Sequence, residues 1–84
     1  MKRISIIGST GSIGRQAIEV CRRYPERFQI VALAANTGGT LFEQQIDQNR
    51  PQFAALRTER KINVPKGPRF SCGERAFEEA CSYE

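Results

Sequence analysis

Seven residues near the start of the chain, Gly8-Ser9-Thr10-Gly11-Ser12-Ile13-Gly14, constrain its fold most, because of what flanks them. Ahead of them lies a short apolar run, residues 4–7. After them Ile13, Ala17, Cys21 and Tyr24 recur at helical spacing. The pattern predicts a strand, a tight turn and an amphipathic helix over residues 12–24, which Pro25 stops.

Each glycine gives this turn a different freedom. Gly8 lets the chain leave the strand sharply, Gly11 leaves room for an approaching anion, and Gly14 lets the helix lie close to the sheet. The helix start behind them offers unpaired N–H groups and the positive end of a dipole, which is what a diphosphate needs. Thr10 and Ser12 add hydroxyls for phosphate oxygens or for capping. The spacing is G-x-x-G-x-x-G, not the G-x-G-x-x-G of many dehydrogenases, and no Gly-Lys-Ser/Thr follows to make a Walker loop. Strand, loop and helix together point to a dinucleotide site, against the plainer alternative of an ordinary strand-to-helix connection.

Residues 28–35 are almost continuously apolar, as a parallel strand covered on both faces should be. A turn at residues 36–39 leads to Thr40, which forms a capping box with Glu43. Leu41, Phe42, Gln45, Ile46 and Asn49 give the next helix its stripe, and that helix ends before Pro51. Residues 53–56 make a short third strand. Between residues 57 and 69 the pattern dissolves around Pro65, Gly67 and Pro68. Ser71 and Glu74 then frame a second capping box, ahead of Ala76, Phe77, Ala80 and Cys81 on one helical face. The order β-α-β-α-β-loop-α predicts an α/β fold, an incomplete Rossmann-like parallel sheet with flanking helices.

With 84 residues the chain makes one small domain. No apolar run is long enough to span a bilayer, so a cytoplasmic protein is expected. There is no histidine, which removes the commonest general base and the commonest nitrogen ligand for metals. The three cysteines form no C-x-x-C pair, and Cys21 and Cys81 are expected as buried thiols. The net charge of +4 is concentrated in residues 57–69, where Arg57, Arg60, Lys61, Lys66 and Arg69 face only Glu59. A nucleic-acid patch would need aromatics between those charges, so a solvated loop is the preferred reading.

The run from Ile6 and Ile7 through Gly14 resembles the N-terminus of the 1-deoxy-D-xylulose 5-phosphate reductoisomerases. So do Pro25-Glu26-Arg27-Phe28 and Val31-Ala32-Leu33-Ala34. Residues 41–45 and Arg50-Pro51 continue the likeness, and Ser71-Cys72-Gly73-Glu74 with Ala76-Phe77 matches more weakly. The resemblance covers most of the chain apart from the basic loop. It implies an NADPH-dependent oxidoreductase and isomerase of isoprenoid synthesis, which turns a phosphosugar into 2-C-methyl-D-erythritol 4-phosphate. Such enzymes use a divalent metal, magnesium or manganese, and are homodimers. Matched residue by residue, the cofactor contacts are Thr10, Gly11, Ser12 and Ile13, with Gly8 and Gly14 shaping the loop. No catalytic residue or metal ligand falls in this chain.

Two departures stand beside that resemblance. Family members are several times longer, so residues 1–84 read as a truncated N-terminal dinucleotide-binding domain. The metal- and substrate-binding domains are absent, and the isolated chain is expected to be inactive. After the second strand the family shows Ala-Gly-basic-Asn, whereas this chain has Ala35-Asn36-Thr37-Gly38. Asn36 and Thr37 are expected as ribose contacts, but both are neutral. A cation there would pair with the 2′-phosphate of NADPH and an acid would favour NAD. The alternatives are a stand-alone nucleotide- or nucleic-acid-binding module, or a fragment of another NAD(P)-dependent reductase. The short-chain dehydrogenases need Tyr-x-x-x-Lys, and Tyr24 is followed four residues later by Phe28. In a doubly wound sheet the first strand's outer neighbour would follow the last helix of this chain, so that edge is expected to be unpaired.

Overall fold

A strand that is apolar at nearly every position must be covered on both faces and both edges, and residues 28–35 form such a strand. The computed structural model describes residues 1–59 and 62–83. Its elements run β1 (Lys2–Ile7), α1 (Ser12–Arg23), β2 (Phe28–Ala35), α2 (Thr40–Asn49), β3 (Phe53–Leu56), β4 (Arg69–Cys72) and α3 (Glu74–Cys81). The strands form one sheet in the order β1-β2-β3-β4, with every pair parallel. This is the expected α/β sheet with flanking helices.

Two apolar layers sandwich the sheet. On one face Ile30, Leu33 and Ala35 pack with Ile18 and Cys21 of α1 and with Phe42 and Ile46 of α2. On the other, Ala32 and Ala34 join Phe53 and Ala55 against Ala76, Phe77 and Ala80 of α3. Strict alternation would put Ile30 on the second face. A register shift opposite Ile4 and Ser5 leaves Val31 as an extra residue, and this returns Ile30 to the first. Phe42, Ile46, Leu33 and Phe53 are fully buried, each worth about 1.5–3 kcal/mol of apolar transfer.

The structure corrects several expectations. Residues 69–72 form a fourth strand, with Cys72 in register with Leu56 and the Gly73 amide donating to the Leu56 carbonyl at 2.8 Å. Ser71 therefore belongs to β4, and α3 begins at Glu74 behind Gly73 with no side-chain cap. Four residues are too few to show a strand period in sequence. Only the neighbouring edge of β3 recruits them. Likewise Gly39, not Thr40, precedes α2, and no side chain caps that helix either. The buried face of α1 is Gly14, Ile18 and Cys21, leaving Ile13 and Tyr24 exposed. Leu41 is exposed at the start of α2. Cys21 is buried as expected, but Cys81 is exposed because α3 turns Ala76, Phe77 and Ala80 to the sheet.

The basic stretch does structural work. The Arg57 guanidinium sits 4.0 Å from the Phe77 ring centre and 3.5 Å from the Glu74 carboxylate. Arg69 lies 4.3 Å from the Phe53 ring, pairs with Glu79, and Tyr83 stacks on the same ring at 5.4 Å. Both arginines hold α3 to the sheet. Arg60 and Lys61 lie outside the described residues. At the far side β1 is the edge of the sheet, and its outer backbone has no strand partner among the described residues.

Candidate functional site

Because all four strands are parallel, their C-terminal ends and the loops leaving them share one rim of the sheet. In open α/β sheets, ligands bind at that rim. The β1–α1 loop is anchored there by β2. The amides of Gly8 and Ser9 both donate to the Ala34 carbonyl, at 2.7 and 3.0 Å. The Gly11 amide closes the turn on the Gly8 carbonyl at 3.0 Å, and the Arg15 amide opens α1 on the Gly11 carbonyl at 2.9 Å.

Two of the glycines answer needs of the fold. Gly8 has φ +77°, which L side chains rarely adopt. A Cβ on residue 14 would stand 2.8 Å from the Gly8 carbonyl carbon and from the Ser9 Cα, so only glycine lets α1 sit this close to the loop. Gly11 is different. A Cβ there would meet only the Gly8 carbonyl oxygen, at 3.4 Å, and the backbone is extended. Nothing inside the protein requires glycine at that position.

What the loop leaves unpaired is the chemical content of the site. Among the described residues the amides of Thr10, Ser12, Ile13 and Gly14 have no hydrogen-bond partner, while that of Gly11 is spent inside the turn. The first turn of α1 contains no acid, and Arg15 stands exposed in it without an ion pair among the described residues. Unpaired amides, a helix dipole and a nearby guanidinium favour an anion. Gly11, Ser12 and Ile13 are exposed and Thr10 is half-buried, with Ile13 showing 83 % of its surface.

Beside the loop, along the free edge of β1, runs a groove of ≈ 660 Å³ whose walls include Ile4, Ile7, Gly11, Ile13 and Ala17. Asn36 and Thr37 leave the adjacent end of β2 with exposed side chains that make no hydrogen bond among the described residues. The Asn36 carbonyl accepts the Thr58 amide at 3.0 Å, which fixes this turn against the end of β3. The rim thus brings the Thr10–Ile13 segment and the Asn36–Thr37 turn onto adjacent strands. No group of three or more His, Cys, Asp or Glu side chains gathers anywhere among the described residues.

One contributor was not legible in the sequence. Gln45, on the stripe of α2, is buried, and its side-chain amide donates to the Ser9 carbonyl at 2.7 Å. A glutamine within an apolar stripe is the sole signal, and it names no partner.

Residues 4–83 match the family model described as 1-deoxy-D-xylulose 5-phosphate reductoisomerase. The chain is similar to the protein of that name from Rippkaea orientalis, 47% identical over 79% of this chain and 17% of the relative. It is similar also to those of Synechocystis, 37% identical over 99% and 23%, and Halalkalibacterium halodurans, 38% identical over 100% and 23%. The chain thus spans only 17–23% of the length of these relatives.

Proposed function

The chain belongs to the 1-deoxy-D-xylulose 5-phosphate reductoisomerase family, and from that premise we propose that residues 1–84 are its N-terminal NADPH-binding part. One observation carries this reading: four amides without a partner among the described residues lie at the start of α1, beside a glycine that the fold itself does not need. The Thr10, Ser12 and Ile13 amides bind the diphosphate, Gly11 leaves room for it, and Asn36 and Thr37 meet the adenosine ribose.

The residues fit the dinucleotide, since the space beside Gly11 and the acid-free helix start suit an anionic phosphate group. When bound, NADPH supplies a hydride to the family's phosphosugar substrate. The family's magnesium or manganese has no ligand set on the described residues. In this proposal the metal, the substrate and the catalytic groups belong to the four-fifths of the relatives' length that lies outside the match, and the 84-residue chain is inactive alone.

Titration of the ¹⁵N-labelled chain with NADP⁺ tests the assignment. Shifts confined to residues 8–14 and 36–37 are expected. Shifts elsewhere, or none at millimolar ligand, would remove it.

A further inference from the structure

Among the described residues one side chain joins the backbone of Ala34 in holding the β1–α1 loop from outside. Gln45 reaches from the middle of α2 to the Ser9 carbonyl, 36 residues away in sequence, in a bond of 2.7 Å that is closed to solvent. Ser9 is fully buried and Gln45 is 6% exposed, yet the Ser9 hydroxyl and the Gln45 side-chain oxygen have no partner among the described residues. Burying two unmet polar atoms lowers stability, and an apolar side chain at residue 45 would remove one of them only by stranding the Ser9 carbonyl instead. The arrangement also has consequences for geometry. Residue 45 lies on the second turn of α2, the helix that follows directly on the Asn36–Thr37 turn. The Gln45 bond therefore adds a tie from the α2 side to the two Ala34 bonds that already join the loop to the end of β2.

We infer that Gln45 is a positioning residue. Its buried bond to Ser9 holds the glycine loop at a fixed distance from the Asn36–Thr37 turn, so that the free loop amides and the ribose contacts match one dinucleotide. This rests on the dinucleotide reading above. Gln45 acts through the loop backbone, by way of the Ser9 carbonyl.

The two variants are Gln45→Met, which keeps the length and loses the donor, and Gln45→Glu, which regains a donor only when protonated. Two readouts are taken on the full chain: NADP⁺ affinity, and hydrogen exchange without ligand at the bonded loop amides of Gly8, Ser9 and Gly11. Gln45→Met should bind about tenfold more weakly and exchange those amides faster. Gln45→Glu should behave likewise near neutrality and recover, relative to wild type over the same range, as the pH falls toward about 5. Recovery on protonation separates a specific bond from a packing role, because Gln45→Met cannot show it. Wild-type exchange and affinity in Gln45→Met, or no recovery in Gln45→Glu, would overturn the inference. If wild type itself fails to bind NADP⁺, the dinucleotide reading falls, and the exchange comparison alone still decides whether Gln45 holds the loop.

Discussion

Gly14 packs its Cα against the backbone of Gly8, so closely that a methyl group on residue 14 would overlap the Gly8 carbonyl. The neighbour is backbone, and it is already held by Ala34 on one side and Gly11 on the other. It cannot give way cheaply. Gly14→Ala is therefore expected to cost about 3 kcal/mol or more, despite alanine's better helix propensity. Denaturant unfolding checks this; a variant as stable as wild type would mean that α1 can move off the loop.

Gly11→Val should behave in the opposite way. A Cβ at residue 11 meets only one atom, at ordinary contact distance, so helical content and unfolding midpoint should stay near wild type. NADP⁺ binding should be lost, because the branched side chain occupies the space beside the free amides. Calorimetry alongside circular dichroism reads both. Unchanged affinity in the folded variant would contradict the diphosphate assignment.

Cofactor choice should be loose. Asn36 and Thr37 are exposed and neutral, so nothing in that turn prefers a 2′-phosphate to a 2′-hydroxyl. Thr37→Lys should shift preference toward NADPH by about 1–2 kcal/mol, the scale of one charge-assisted bond. The check is the ratio of NADPH to NADH affinities in both proteins. A strong NADPH preference in the wild type would mean that another cation, such as the exposed Arg15, reads the phosphate.

The cysteines should separate by depth. Cys81 is exposed, Cys72 half-buried and Cys21 buried, so a thiol reagent should label them in that order, with Cys21 reacting last. Burial pushes the Cys21 thiol above its ordinary value, which means that the fold favours the neutral form. That contribution is complete below about pH 9 and is lost as the pH rises further. Stability measured from pH 8 to 10 should therefore fall less steeply in Cys21→Val than in wild type. Equal slopes would show that the thiol does not ionise on unfolding.

The free edge of β1 should limit the isolated chain. It presents backbone without a strand partner among the described residues, beside Ile4, Ile7 and Ile13, a combination that invites edge-to-edge association. Marginal stability and concentration-dependent association are expected, with no reductoisomerase turnover at any magnesium or manganese concentration. Sedimentation, thermal melting and a coupled assay examine this together. A monomer melting cooperatively at high temperature would contradict the first expectation, and turnover would refute the second.

Where local chemistry sets conformation, the sequence alone was sufficient. The apolar run of residues 28–35 could only be a doubly covered parallel strand, Pro25 and Pro51 bounded the first two helices, and the glycine spacing marked the turn between β1 and α1. These signals depend on side chains a few residues apart. Tertiary structure decided the rest, because those choices depend on neighbours remote in sequence. β4 exists because β3 offers an unpaired edge to residues 69–72. The buried face of α1 passes through Gly14 instead of Ile13 because the helix must clear the Gly8 carbonyl. Arg57 and Arg69 are tied to rings on α3 and β3 that no charge count could assign to them. The link from Gln45 to Ser9 needs α2 folded back over the loop, so a polar residue in an apolar stripe acquires its meaning only there.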